Sequence, residues 1–170
     1  VLTVTLSPSE AYTNDTLTAV ATTTDLDGES VTVSYAWFVD GSPVGDTGST
    51  LSGTTAPNKG EAVHVVATPS DGTDSGDSVS SDTVVILNTA PTAPSVSISP
   101  AAPAVDVDNI VCSIDLESSD ADGDGVSYTI TWTVDGAPYA DAITTIRTGD
   151  SISADEMNGD EEWTCTVTPH

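Results

Sequence analysis

Basic side chains are almost absent from this sequence. Against 27 acidic residues stand only Lys59 and Arg147, which leaves a formal charge of −25 over 170 residues. A surface without a positive patch cannot neutralise phosphates, which argues against nucleic acid as a partner, and an anionic membrane surface repels it. Long apolar runs are missing too. None approaches the roughly 20 residues that a spanning helix needs, so no direct membrane insertion is expected. No charged, apolar, small-residue segment opens the chain, so any targeting peptide is expected to be removed or to lie upstream. Cations and water suit such a surface.

Aromatic residues make up only 5% of the chain, and Leu, Ile, Val and Phe together only about a fifth, close to the limit below which charged chains stay unfolded. Their order decides for folding. In VTVSYAWFV, Val31, Val33, Tyr35, Trp37 and Val39 fall on one side and Thr32, Ser34 and Ala36 on the other. That period of two marks a half-buried strand. Abundant Ser, Thr and Val favour extended structure, and no stretch keeps helical spacing over three turns. The chain reads as all-β.

It also repeats. DLDGESVTVSYAWFVDGSPV from Asp25 matches DADGDGVSYTITWTVDGAPY from Asp120, so that Trp37 falls on Trp132 and Asp40-Gly41 on Asp135-Gly136. VTLSP from Val4 resembles VSISP from Val96, and VHVVATP ending at Pro69 resembles WTCTVTP ending at Pro169. The expected organisation is a first module over 1–88, a stiff proline-bearing linker over 89–94 and a second module over 95–170. In the first module strands are predicted near 2–6, 16–22, 31–39, 43–52, 62–68 and 79–87. Their turns fall at Asp40-Gly41, Pro57-Asn58-Lys59-Gly60 and Asp71-Gly72. Short strands at this spacing predict a two-sheet Greek-key sandwich.

Cys112 falls on the second module's counterpart of the strand at 16–22, and Cys165 on the counterpart of that at 62–68, with Trp132 between them in the chain. In a sandwich these strands face each other, which predicts an inter-sheet disulfide packed on the tryptophan. Two buried free thiols are the alternative, and a reducing compartment would permit them. The first module has Ala19 and Val65 instead, so the bridge reinforces rather than defines the fold, at on the order of 3–4 kcal/mol.

The pattern D-x-D-G-[DE]-x-V-x-Y-x-x-W-x-V-D-G, the linker NTAPTAP and the ending W-x-C-x-V-T-P resemble tandem bacterial immunoglobulin-like repeats, related to PKD and cadherin-like modules, of large secreted or surface proteins. The resemblance spans nearly the whole chain. It implies an extracellular or cell-surface structural module of a rod, fibre, filament or adhesin shaft. It identifies no ligand. The first module continues past Pro69 through DGTDSGDSVSSDTVVILN, whereas the second stops at His170. The second sandwich is therefore expected to lack its final strand. Either the sequence is part of a longer array, or a neighbouring copy donates the strand, with VLTVTL the natural donor.

The acidic residues gather at turns: Asp25, Asp27 and Glu29 in one loop, Asp120, Asp122 and Asp124 in its repeat, and Asp71, Asp74 and Asp77 in another. Alternating carboxylates around a glycine resemble the opening of a calcium loop, although no bidentate Glu follows at the twelfth position. In an immunoglobulin-like sandwich, Asp25, Asp27, Asp71 and Asp74 would converge at one pole. Asp120, Asp122 and Asp124 would face the linker, where Ca2+ would fix the angle between modules. The competing reading is that Asp and Gly simply form turns and a solubilising coat.

No catalytic constellation stands out. His64 and His170 have no second histidine at metal-ligand spacing, and neither a nucleophile elbow nor a phosphate loop is present. Carboxylates in wet turns should stay ionised, unlike a sheltered general acid. The chain is not expected to be an enzyme. Trp37, Trp132 and Trp163 all fall on the inward phase and read as core. The rival role is adhesive, recognising a glycan or surface protein through loops, with Tyr12 and Tyr139 expected to lie outside the strands. Asn14-Asp15-Thr16 is a glycosylation sequon and reads as chance in an exported bacterial protein.

Overall fold

Both copies of the repeat fold around the same anchor, a tryptophan at the centre of a strand. In the computed structural model, which describes residues 2–25, 28, 30–53 and 57–170, with Leu2 described by its backbone alone, the chain forms two units, Val1–Thr89 and Ala90–His170. Each is an all-β sandwich of two sheets.

The first unit begins with β1 (Leu2–Ser7), which pairs antiparallel with β3 (Leu17–Thr23); β6 (Thr50–Leu51) completes that sheet. The facing sheet runs in the order β2 (Ala11–Tyr12), β9 (Val84–Leu87), β7 (Ala62–Ser70), β4 (Thr32–Val39), β5 (Ser42–Pro43), with β8 (Val79–Ser80) also on β7. β4 and β7 pair over their full length, from Thr32 with Ser70 to Val39 with Val63. Alternation along them sends Trp37, Val63, Val65 and Ala67 inward, where they pack with Leu17, Leu51, Ile86 and Val4. Full burial of each large side chain here contributes about 1.5–3 kcal/mol.

The second unit repeats this frame with fewer strands. β10 (Ser95–Ser99), β11 (Ile110–Leu116) and β14 (Ser151–Ile152) form one sheet. β13 (Ala137–Tyr139), β12 (Tyr128–Val134) and β15 (Trp163–Pro169) form the other, and a single 3₁₀ turn covers Ala154–Glu156. Cys112 on β11 and Cys165 on β15 are joined by a disulfide across the two sheets, with Cα atoms 6.2 Å apart. It lies in one cluster with Trp132, Ile110, Ile152 and Met157. Corresponding Ala19 and Val65 of the first unit are buried without a bridge.

Several small devices recur in both units. Trp37 Nε1–H donates to the Gly48 carbonyl and Trp132 Nε1–H to the Gly149 carbonyl, each at 2.9 Å. The backbone N–H of Ala19 donates to the Ser49 carbonyl and that of Cys112 to the Asp150 carbonyl, each at 2.7 Å. Asp40-Gly41 and Asp135-Gly136 both take left-handed backbone angles, φ 47° and 76° in one and 49° and 78° in the other. Such angles fit a two-residue hairpin turn. The aspartate in each turn also accepts across the sheet, from Ala62 N–H and from Glu162 N–H, each at 2.9 Å. Ser7-Pro8 and Ser99-Pro100 are both cis.

The structure corrects several details. The predicted strand at 43–52 is two short strands, because left-handed Gly45 sits between them. The one at 79–87 breaks into β8 and β9 where Ser81, not a hydrophobe, enters the interior, its Oγ accepting from Val65 N–H and its N–H donating to the Val65 carbonyl. Tyr12 and Tyr139 lie in strands, not outside them. Tyr139 packs edge-on against Trp163 at 4.9 Å between ring centres, since the hairpin turn aims it back over the core. Trp163 does point inward but is only half-buried.

Candidate functional site

The loop after β11 carries the best-organised acidic group. Its entrance is tied down twice: Ser118 N–H donates to the Tyr128 hydroxyl at 2.7 Å, and Ser119 exchanges backbone and hydroxyl hydrogen bonds with Thr92, including Thr92 N–H to the Ser119 carbonyl at 2.9 Å. Asp120 then caps the turn that follows, its Oδ1 accepting from Asp122 N–H at 2.8 Å and from Asp124 N–H at 3.3 Å. Gly123, at φ 77°, supplies the left-handed step that only a residue without Cβ takes freely. The chain thereby folds back on itself. One carboxylate oxygen from each of Asp120, Asp122 and Asp124 lies within 4.8 Å of the others, close enough for one metal ion to be shared. Hard carboxylate oxygens at this spacing suit a hard divalent cation.

In the first unit, Asp25, Asp71, Asp74 and Asp77 line one open cleft of about 490 Å³, together with Val31 and Val79. Asp27 and Glu29 lie outside the described residues. Two of the cleft's carboxylates are committed to their own turns. Asp71 Oδ1 accepts from Thr73 N–H at 2.7 Å and Asp74 N–H at 2.8 Å, and Asp25 Oδ1 accepts from Gly28 N–H at 2.9 Å. The hydrogen bonds from Asp74 and then Thr73 hold the Asp71 carboxyl below the usual carboxylate range.

Asp150, which the sequence did not single out, is the most tightly held acid. It is 2% exposed, and its two oxygens accept from Thr145 N–H, Thr145 Oγ1, Ile146 N–H and Arg147 N–H at 2.7–2.9 Å. Burial alone would push its carboxyl up; the hydrogen bonds from Arg147, Thr145 and Ile146 outweigh it and hold the group low. The only hint in the sequence is that Asp150 stands where the first repeat has Ser49. This acid organises a loop and offers no site.

His64 stacks on Phe38 with ring centres 4.9 Å apart, and His170 sits beside Thr129 at the end of β15. Arg147 pairs with Glu117 at 3.0 Å and lies over the Tyr128 ring. Among the described residues no helix is long and apolar enough to cross a membrane.

No known family profile and no curated protein matches this chain. Among solved structures, the crystal structure of murine CEACAM1b is similar over 99% of this chain and 92% of that one, at 12% identity and a TM-score of 0.35. The immunoglobulin-like character is carried by the strands themselves: in each unit two facing, mainly antiparallel sheets enclose a central tryptophan, and in the second a disulfide joins the sheets beside it.

Proposed function

We propose that the chain is a structural repeat module of an extracellular rod, fibre or surface shaft, related to tandem bacterial immunoglobulin-like repeats and stiffened by calcium at Asp120, Asp122 and Asp124. The observation that supports this most is repetition of one frame twice in a chain, down to the tryptophan–carbonyl hydrogen bond and the aspartate that ties each hairpin to its neighbouring strand. Such duplication gives length, not chemistry. The disulfide fits an oxidising compartment outside the cytosol. On this reading the partners are adjacent repeats or neighbouring copies.

Single-molecule pulling tests the mechanical role. Two force peaks are expected. The second unit should lengthen less than its size implies, because the residues between Cys112 and Cys165 are withheld. Reduction should release a further extension of about 180 Å, at roughly 3.5 Å per residue. Unfolding without resolved peaks overturns the shaft reading. Millimolar calcium should raise the second unit's melting temperature and a chelator should reverse it; calcium at 100 times its Kd stabilises the unit by about 2.7 kcal/mol. An unchanged melting temperature removes calcium from the proposal.

An adhesive role is the second reading, and the acidic cleft of the first unit is what favours it. With Tyr139 packed into the core, recognition of a glycan or surface protein would fall to that cleft and to exposed Tyr12. A glycan array run with calcium separates the two roles.

A further inference from the structure

The second unit devotes its most tightly held carboxylate to a loop that the first unit has only in short form. Residues 45–47 run between Val44 and Gly48, whereas residues 140–148 run between their counterparts Tyr139 and Gly149, and each glycine carbonyl accepts from its core tryptophan. The added length is shaped, not slack. Asp150 collects the backbone N–H groups of Thr145, Ile146 and Arg147, and Gly149 N–H donates to Thr144 Oγ1 at 3.1 Å. Arg147 is pinned further by Glu117 and by the Tyr128 ring, whose centre lies 5.3 Å from the guanidinium carbon. What this brace holds out is Ile146. Its backbone is tied to buried Asp150, yet the residue is 87% exposed, more than any other large hydrophobe among the described residues, and Ile143 of the same loop is 41% exposed. A single exposed hydrophobe is ordinary. One mounted beside a cation on a rigid loop has the form of a binding anchor, because folding has already ordered the groups that docking would otherwise have to order.

The cleft of the first unit has the complementary character. Val31, Pro69 and Val79 give it apolar walls, and its volume of about 490 Å³ has room for an isoleucine side chain and a guanidinium group. Its acidic wall asks for a cation. Asp25 and Asp71 are held by their own turns, and Asp74 and Asp77 stand beside them on the same cleft. In a chain of charge −25 almost every surface is repelled from such a wall. Of the two cations, Lys59 lies between Asn58 and Gly60, and only Arg147 has an exposed large hydrophobe next to it in the chain.

We propose that the loop between β13 and β14 of one copy docks into the first-unit cleft of a second copy, Ile146 against Val31, Pro69 and Val79, and Arg147 against Asp74 and Asp77. The pair with Glu117 does not prevent this, since it engages one guanidinium nitrogen and an exposed ion pair is weak. Loop and cleft are different surfaces, so the contact is heterologous. Each copy offers one of each, and copies add head to tail instead of closing as a symmetric pair. The inference rests on the fibre reading above and names what joins neighbouring copies in it. One isoleucine and one arginine make a weak contact, which repetition along an assembly strengthens.

Sedimentation and NMR of the intact, oxidised chain at up to about 1 mM test the contact, in roughly 0.15 M salt so that repulsion beyond about 8 Å is screened. Association that grows with concentration is expected, with amide shifts at residues 143–148 and 71–79 together. Ile146→Ser should weaken it at least about tenfold through lost burial. Asp74→Asn with Asp77→Asn should weaken it about two- to fivefold. All three positions are exposed, so both melting transitions should stay in place. Complementation is the sharpest readout. A chain with Ile146→Ser keeps its cleft, and one with Asp74→Lys and Asp77→Lys keeps its loop, so each alone should stay monomeric while the mixture forms pairs and nothing larger. A native chain that is monomeric throughout this range, association untouched by Ile146→Ser, or variants that fail to pair when mixed overturns the proposal. A monomeric chain that still gives two resolved force peaks loses this contact and keeps the shaft reading; an assembling chain that unfolds without resolved peaks does the reverse.

Discussion

Asp150 shows how one residue can matter without being a site. Its carboxylate gathers three backbone N–H groups and a hydroxyl that are otherwise unmet at the start of β14. Asp150→Ala should destabilise the second unit by about 1.5–3 kcal/mol, because the hydrogen bonds to a buried, charged acceptor are lost. Thermal melts of the two units check this, with the first unit unmoved. Its folded-state carboxyl is held low, so the stabilisation is present above the unfolded carboxylate pKa and is lost as pH falls through the folded value. The melting difference between the native chain and Asp150→Asn should therefore be full near neutrality and shrink below about pH 4.

At the scale of the element, the hairpin aspartates couple neighbours that alternation alone would leave independent. Asp40 and Asp135 each close a tight turn and also reach the entrance of the adjacent long strand, at Ala62 that opens β7 and at Glu162 just before β15. Asp40→Gly and Asp135→Gly keep the turn's backbone freedom and remove only that reach, so each should cost about 1 kcal/mol in its own unit. Chemical denaturation with the tryptophans as reporters measures it. Equal losses in both units would show that the tie belongs to the repeat and not to its context. The turn itself was legible, since Asp-Gly between alternating runs is a strong hairpin signal. The tie was not, because Asp40 and Ala62 meet only through the β4–β7 register.

For the whole molecule, the two units should respond differently to reduction. The second unit has a 53-residue loop closed by Cys112 and Cys165, worth about 4 kcal/mol through the unfolded state, while the first rests on packing. A thiol reductant is expected to lower one melting transition and leave the other in place. Calorimetry with and without reductant checks this; a single cooperative transition moving as a whole would show that the units do not unfold separately. Trp163 would respond as well, since it sits in the bridged cluster with Trp132 at 6.4 Å between ring centres.

The sequence by itself determined the all-β class, the duplication and the turns at Asp40-Gly41 and Asp135-Gly136, and it placed the cysteines so that a bridge was one of two outcomes, the one the structure shows. Period-two alternation and turn chemistry are local, and a repeat transfers what is learned from one copy to the other. Only the tertiary structure decided which acids come together. Asp120, Asp122 and Asp124 converge because a left-handed glycine and two anchors outside the loop bend it, whereas Asp71 is spent on its own backbone and Asp150 on its neighbours. A carboxylate's role depends on the donors that folding brings to it: turn neighbours for Asp71 and Asp150, and for the loop of Asp120 the distant anchors Thr92 and Tyr128 as well.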